Sequence, residues 1–434
     1  MNNTNNSQSR KLAKKRDRKR FTTKSLVIAI ILIFLVIGFG LPGVRENLAI
    51  KYGKAVLNTD VGTQIAKGFY QMNNLQLEKD FSQTNFSQNP TNANEIAFWL
   101  KIVGIKKVLD KTQSDLVSND DVKICHFIYH TVGQTAYKVY GNAAFEIFDQ
   151  DCSAGYTHGV IYQYSLSNNS ANLISELYNI CNNVDSNHYK LECFHGVGHG
   201  VLLNQKYNLE HAMNMCKQLP TQPIRNLCYS GAFMENLLAA EGKGATGMSH
   251  ESHSDMPKSS EWVTSDPFSP CNKLEDDPNI QSVCSVYQAG VILDKNDGDF
   301  QKTVKLCESK EMYSKNLCFI NIGQEAAYRY KGNPEQIISV CNMSKKYFKS
   351  CVDGAIRHFV YFYADELGDR AVNVCKALKT PEDKEFCYNY VGVKLNEIYY
   401  GIKATNEIEK KCLNIEPEYI DICKKGTTVP PRLF

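Results

Sequence analysis

The spacing of the cysteines constrains the fold of this chain more than any other feature. After the first pair, the two members of each pair are 10 to 13 positions apart, and first members follow at steps of 35, 55, 36, 34, 34 and 37 residues. A period of this size is typical of stacked two-helix repeats, and the one longer step indicates an insertion. All sixteen cysteines lie after residue 124 and fall into eight consecutive pairs: Cys125 with Cys152, Cys181 with Cys193, Cys216 with Cys228, Cys271 with Cys284, Cys307 with Cys318, Cys341 with Cys351, Cys375 with Cys387, and Cys412 with Cys423.

The sequence between the cysteines carries signals for helix starts and helix ends. Asn208, Asp299 and Asn333 each stand eight positions before the first cysteine of a pair. Asn and Asp side chains accept hydrogen bonds from the free amides at a helix start, so each first cysteine is predicted to close a short helix. The second cysteine is predicted to open a longer helix, as in the segment that Gly332 would end in a left-handed conformation. The predicted fold is an all-α solenoid of helical hairpins.

The cysteine pairs are predicted to be disulfides that cross-link these hairpins. An even number of cysteines in an exported chain indicates a disulfide framework. Pairing within each consecutive couple is the simplest connectivity, because helix ends about 5.5–6 Å apart can be bridged directly. Zinc ligation by the cysteines is disfavoured, since the chain contains no C-x-x-C motif.

Four of the predicted long helices share a C-x-x-G opening, at residues 152–155, 193–196, 228–231 and 351–354. With the repeat period and the locally paired cysteines, this layout resembles the disulfide-linked Sel1-like repeat proteins of bacterial envelopes, which are TPR-like helical arrays. The resemblance covers roughly residues 181–423. It implies an α-solenoid that acts as a binding scaffold, and it carries over no catalytic residue.

The N-terminal part of the chain has the pattern of a membrane anchor. Residues 1–24 carry nine Lys or Arg residues against Asp17 alone, and residues 26–41 contain no charge. About 20 apolar residues span a bilayer, and basic flanks stay on the cytoplasmic side. We therefore predict a basic cytoplasmic arm at 1–24, a single transmembrane signal-anchor at 25–42 and an extracytoplasmic body. A cleaved signal peptide is the alternative.

The rest of the chain divides by composition. Residues 43–94 are predicted to form a juxtamembrane segment and polar linker, followed by a repeat domain at 95–423 that begins with a helix at 95–112. The insertion is placed in a loop at 241–270, and residues 424–434 form a tail. The chain beyond the basic arm carries a net charge of −5, which argues against a nucleic-acid partner. An envelope protein or polymer is the predicted partner.

The histidines are concentrated in the first repeats. His126 and His130 are four residues apart, as are His195 and His199, while His158 and His199 each stand six positions after the second cysteine of a pair. Residues four apart share a helix face, so these five imidazoles are predicted to converge on a transition metal, copper or zinc. A haem held by two histidines is an alternative. Placement in the first turns of helices would keep the rings neutral.

The predicted loop adds a second group of soft ligands. Met248, His250, His253 and Met256 combine thioethers with imidazoles, a ligand set that suits copper. A solvated polar loop without metal is the favoured interpretation of this segment. Glu146 and Glu235 are interpreted as solvated or capping carboxylates. The sequence thus predicts a membrane-anchored binding scaffold with a histidine-lined metal site. The alternative is a metal- or haem-dependent redox or hydrolytic enzyme of the cell envelope.

Overall fold

The computed structural model describes most of the chain beyond the N-terminal region. The described residues are 63–64, 67–68, 70–71, 73–86, 92–116, 122–149, 151–168, 170–184, 187–240, 264–274, 277–309, 314–362, 369–399 and 405–429. Two compact units divide the chain, Met1–Phe81 and Ser82–Phe434, and nearly all described residues belong to the second. The predicted arm and anchor lie outside the described residues. Within the part described, no helix is both long and apolar enough to cross a bilayer.

All regular secondary structure in the described residues is helical. Short 3₁₀ turns supplement the α-helices at Gly141–Glu146, Cys271–Lys273, Lys345–Tyr347, Cys412–Asn414 and Pro417–Tyr419. In chain order the α-helices are α1 (Asn74–Gln83), α2 (Ala93–Val103), α3 (Ile105–Leu116), α4 (Val122–Tyr140), α5 (Asp151–Ser167), α6 (Leu173–Asn182), α7 (Asn187–Asn204), α8 (Leu209–Cys216), α9 (Gln222–Ala240), α10 (Pro278–Lys295), α11 (Phe300–Cys307), α12 (Lys315–Arg329), α13 (Pro334–Met343), α14 (Phe348–Phe362), α15 (Asp369–Ala377), α16 (Pro381–Tyr399), α17 (Thr405–Lys411) and α18 (Ile420–Thr427).

From Cys181 onward the repeat unit is a short helix or 3₁₀ turn, a disulfide and a long helix. The first pair departs from the prediction, because Cys125 lies in the first turn of the long helix α4 and does not close a short helix. The predicted caps are confirmed, because the side chains of Asn208, Asp299 and Asn333 accept backbone amides at the starts of α8, α11 and α13. Gly332 has the predicted positive φ of 83° just after α12. Each repeat is therefore delimited by the residues that the sequence pattern singled out.

The predicted disulfide connectivity is confirmed for all sixteen cysteines. Every consecutive pair is bonded, with Cα–Cα distances between 5.3 and 5.8 Å. This many disulfides indicates an oxidising, extracytoplasmic location. The bonds join Cys125 to Cys152, Cys181 to Cys193, Cys216 to Cys228, Cys271 to Cys284, Cys307 to Cys318, Cys341 to Cys351, Cys375 to Cys387, and Cys412 to Cys423.

In four of the long helices the second cysteine of the pair does not open its helix, and there the prediction is wrong. The helices α7, α9, α10 and α16 each begin six residues before their cysteine, because the last residues of the connection already join the helix. The bonded sulfur therefore projects from the second turn of the long helix and not from its first residue. The four cysteines concerned are Cys193, Cys228, Cys284 and Cys387.

Two further boundaries differ from the prediction. The single helix predicted at 95–112 is two helices, α2 and α3, since Gly104 adopts a φ of 85° between them. At the other end, α18 continues four residues past Cys423, where the tail was predicted to begin.

The long helices pack side by side in chain order, from α4 through α5, α7, α9, α10, α12, α14 and α16 to α18, with the short helices against them. The row curves back on itself, so that α5 contacts α14 and α7 contacts α16. Buried apolar side chains form two clusters, one between residues 161 and 284 and one between 289 and 423.

Glycines set the closest helix contacts in this row. A Cβ at any of them would lie 1.8 to 2.1 Å from a backbone oxygen of the partner helix, which no real side chain tolerates. The four helix pairs α4/α5, α7/α9, α12/α14 and α16/α18 therefore depend on residues without a side chain. These glycines are Gly133 and Gly159, Gly198 and Gly231, Gly323 and Gly354, and Gly392 and Gly426.

Candidate functional site

The structure brings the five histidines of the first repeats into one group, the histidine cluster, in which His130, His158 and His199 are buried and the other two are partly buried. His126 and His130 come from α4, His158 from α5, and His195 and His199 from α7. Ring centroids are 5.8 Å apart for His126–His130, 5.5 Å for His126–His158, 5.3 Å for His158–His195 and His158–His199, and 5.0 Å for His195–His199. The convergence expected from the spacing is therefore present.

Close helix packing places these rings side by side. A Cβ at Gly159 would lie 2.1 Å from the backbone oxygen of His130, and one at Gly196 would lie 2.9 Å from the His158 ring. On the other side of α7, a Cβ at Gly231 would lie 1.9 Å from the backbone oxygen of His195. The three helices that carry histidines, together with α9, can approach closely only because these positions are glycine.

A chain of hydrogen bonds fixes the orientation of His199. Its Nδ1 lies 3.0 Å from Oε2 of Glu235, and the hydroxyl of Tyr207 donates to Oε1 of the same carboxylate at 2.9 Å. Glu235 is fully buried. With Nδ1–H donated to Glu235, the lone pair of His199 is on Nε2, which faces Nε2 of His195 at 3.1 Å. The interpretation of Glu235 as a solvated carboxylate is therefore wrong, whereas Glu146 is exposed as expected.

The other rings are held in a similar way. Nδ1 of His126 donates to the carbonyl of Cys152 at 2.8 Å, and Nε2 of His158 lies 3.2 Å from the carbonyl of Glu192. Gln134 binds Nδ1 of His130 at 3.0 Å. Each of these rings thus has one nitrogen bonded to a neighbour. The other nitrogens of two rings, Nδ1 of His158 and Nε2 of His130, are buried without a hydrogen-bond partner.

Burial keeps four of the histidines neutral. It lowers the pKa of His126 to about 4, and it lowers the pKa of His130, His158 and His195 well below the usual value, with repulsion from neighbouring rings in the same direction. The helix-dipole argument for neutrality is wrong, because four of the five rings lie roughly two turns or more inside their helices, where the end effect has decayed.

A second carboxylate, which the sequence did not single out, lies beside the cluster. Oε2 of Glu192 is 3.8 Å from Nε2 of His158, and its side chain retains 23% exposure. Burial nevertheless raises the pKa of Glu192 to about 7.

The histidine cluster, as the structure describes it, does not have the geometry of a preformed metal site. Among the described residues, no three His, Cys, Asp or Glu side chains already have the geometry that holds a metal ion. His250, His253, Met248 and Met256 lie outside the described residues. Comparison with protein-family models, with curated proteins and with solved structures finds no match. The disulfide-stapled helix pairs remain consistent with Sel1-like repeats, and the chemistry of the cluster has to be argued from its own atoms.

Proposed function

We propose that this protein is an extracytoplasmic helical-repeat scaffold whose N-terminal half binds a transition-metal ion, zinc, through His158, His195 and His199. The observation that carries the proposal is the triangle formed by these three rings, with centroid distances of 5.0, 5.3 and 5.3 Å. Burial favours the neutral form of His158 and His195, and neutral imidazole is the form that binds metal.

The size of the triangle matches a tetrahedral centre. With zinc–nitrogen bonds of about 2.0–2.1 Å, two imidazoles on one tetrahedral ion have nitrogens about 3.3 Å apart and ring centres about 5.2 Å apart. His195 and His199 have facing nitrogens at 3.1 Å. The Nε2 proton of His195, which now bridges the two rings, would move to Nδ1 of the same ring, and small ring rotations would exchange the hydrogen bond for two bonds to the ion. His158 would supply Nδ1, the atom that now lacks a partner.

The residues around the triangle orient its histidine rings in the way that neighbours of metal-bound histidines do. Metal-bound histidines usually donate their other N–H to a carboxylate or a carbonyl, which fixes the tautomer and raises the basicity of the ligand. His199 makes this contact with Glu235, and His158 makes it with the carbonyl of Glu192. Glu235 is held in turn by Tyr207. Glu235 also supplies negative charge next to the ion.

The remainder of the molecule fits a scaffold role in the cell envelope. The segment at 25–42 would anchor the body to the membrane, and the outer surface of the repeats would contact an envelope protein or polymer. These two statements rest on the sequence pattern. The sequence also suggested copper and haem. The spacing of the three rings matches a tetrahedral ion and therefore favours zinc over both.

Elemental analysis of the full-length protein tests the proposal. The chain is purified in detergent, dialysed against zinc at a buffered micromolar concentration and analysed for metal per mole of protein. We expect at least one zinc ion per chain, and we expect a His195→Asn/His199→Asn variant to lose it. Copper or iron in place of zinc would reassign the metal, and an absorption spectrum would reveal haem.

Two matched variants control for the loss of any histidine. His211→Ala removes an exposed histidine on α8, and His358→Gln removes a buried one in the C-terminal half, where its ring contacts Tyr328. Both should retain the wild-type metal content. A wild-type chain without metal at micromolar zinc would refute the proposed function.

A further inference from the structure

The proposed zinc site uses only part of the histidine cluster. His195 and His199 form one pair at i, i+4 on α7, while His126 and His130 form a second such pair on α4. Two histidines at this spacing chelate one metal ion from a single helix face. An ion bound by His158, His195 and His199 leaves the α4 pair unexplained.

Polar atoms without partners accompany the α4 pair. Nε2 of His130 and the hydroxyl of Tyr162 are both buried and make no hydrogen bond. The two rings lie 5.4 Å apart, and each residue is only 1% exposed. A buried polar atom left without a hydrogen bond is destabilising, so two of them on neighbouring side chains indicate a missing polar partner.

The helix between the two pairs serves both. His158 and Tyr162 are four residues apart on α5 and so share one face. Nδ1 of His158 is buried without a partner, and the ring is 5.5 Å from His126 on α4 and 5.3 Å from both α7 histidines. Tyr162 contacts His130 on α4.

The geometry points to a second divalent-metal position, with His126 and His130 as its ligands. This inference rests on the proposed function, since it places a second ion beside the first. The lone pair of His126 is on Nε2, because its Nδ1–H is donated to the carbonyl of Cys152. Nε2 of Gln134 lies 3.0 Å from Nδ1 of His130. Turning this amide over places its oxygen there, where it accepts from Nδ1–H and leaves the lone pair of His130 on Nε2. Tyr162 donates to a solvent oxygen that completes the coordination. The cluster is therefore a two-metal site.

Metal stoichiometry tests the inference on the full-length protein in detergent. The chain is stripped with a chelator, reloaded with zinc and analysed for metal per chain. We expect two zinc ions in the wild type and one in a His126→Asn/His130→Asn variant. His211→Ala, which changes an exposed histidine outside the cluster, should keep two.

A milder variant covers the case in which the double variant does not fold. Tyr162→Phe removes only the hydroxyl, and loss of an outer-shell partner costs about 10- to 100-fold in metal affinity. Competition with a chromophoric chelator should show the weaker of the two zinc affinities falling by about 10-fold, with the tighter one changing little.

The outcomes separate the two proposals. One zinc ion per chain, with an affinity that neither the α4 variant nor Tyr162→Phe alters, would overturn the second position and leave the first intact. No zinc in the wild type would refute the proposed function itself. Two ions that both survive the α4 variant would also overturn the assignment of His126 and His130.

Discussion

Glu235 shows how a single buried residue can define the chemistry of its neighbours. Both of its oxygens are occupied, one by Nδ1 of His199 and the other by the hydroxyl of Tyr207. A neutral amide at this position would keep the shape of the contact but weaken the hydrogen bond to the imidazole. The charge on Glu235 therefore bears on how strongly His199 can bind a metal ion.

A Glu235→Gln variant tests this contribution. We expect its zinc affinity to fall about 10-fold, the lower end of the range for outer-shell changes, since the amide oxygen can still accept from Nδ1–H. Competition with a chromophoric chelator measures the dissociation constant. Glu325→Gln, in the C-terminal half, is the control and should leave zinc affinity unchanged. Equal affinities for Glu235→Gln and wild type would mean that Glu235 has a purely structural role.

Asp149 offers a pH-dependent test away from the histidines. Burial, followed by repulsion from Asp151, raises the pKa of Asp149 to about 6 from 3.8. The folded state thus holds a proton that the unfolded state releases between pH 3.8 and 6, so stability falls as pH rises through this window. Asp149→Asn should raise the free energy of unfolding by about 1–3 kcal/mol at pH 7, with the gain shrinking towards zero near pH 4.

Urea denaturation at the two pH values measures the effect of Asp149→Asn. Its control is Asp110→Asn, which breaks an exposed ion pair with Lys106 and should cost less than about 1 kcal/mol at either pH. A variant of Asp149 that is less stable than wild type at pH 7 would show that its hydrogen bond to the amide of Asp151 outweighs the cost of its charge.

At the scale of the helices, the glycine contacts lead to a sharp prediction. A Cβ at Gly231 would lie 1.9 Å from the backbone oxygen of His195 and force α7 and α9 apart. Gly231→Ala should therefore destabilise the protein by about 2–3 kcal/mol despite the better helix propensity of alanine. Thermal unfolding followed by circular dichroism measures it. Gly290→Ala is the matched control, because its Cβ would meet side-chain atoms and no backbone: the carboxylate of Glu325 at 3.0 Å and Oδ1 of Asn321 at 3.7 Å. The Tm of this variant should stay near wild type.

Each disulfide acts inside one repeat. Cys341 and Cys351 close a loop with a sequence separation of 10. The chain-entropy model gives about 3 kcal/mol for such a loop, so Cys341→Ala/Cys351→Ala should lower the free energy of unfolding by about that amount. Zinc content should not change, because this repeat lies in the C-terminal half. Loss of zinc in a variant that remains folded would show that the repeats are coupled over a longer range.

The sequence predicts the elements better than their contacts. The cysteine period, together with caps such as Asn208 and Asn333, correctly predicts short and long helices in alternation. The C-x-x-G pattern marks only some of the glycines at the helix contacts. Cys423 and Gly426 have this spacing as well, whereas Gly323 stands five positions after Cys318. Glycine is common in loops and helix ends as well, so this pattern becomes informative only when the partner backbone is in view.

The same limit applies to the candidate site. The i, i+4 spacing of His195 and His199 was enough to predict that the rings share a face, because that relation is local. The roles of Glu235 and Glu192 depend on contacts between helices. Glu235 stands seven positions after Cys228, not the six that separate His199 from Cys193, so the repeat register alone does not place it against His199.

On the scale of the whole molecule, the curvature of the array could not be read from the sequence. The contacts of α5 with α14 and of α7 with α16 join repeats that are far apart in the chain. They arise from a small rotation at every repeat, which accumulates along the row. No disulfide among the described residues links the two halves, since every pair is local; packing alone holds the curve closed.

This organisation predicts where metal binding should stabilise the protein. The histidine cluster is in the half whose apolar core spans residues 161–284, whereas the other core spans residues 289–423. A ligand at 100 times its dissociation constant adds about 2.7 kcal/mol to the stability of the unit that binds it. In a repeat array with nearest-neighbour coupling, most of this gain should stay in α4 to α9 and little should reach α15 to α18.

Hydrogen exchange with and without zinc measures the difference helix by helix, with the His195→Asn/His199→Asn variant as the control that should show no change. Equal added protection in both halves would instead show that the contacts of α5 with α14 and of α7 with α16 make the curved array a single cooperative unit.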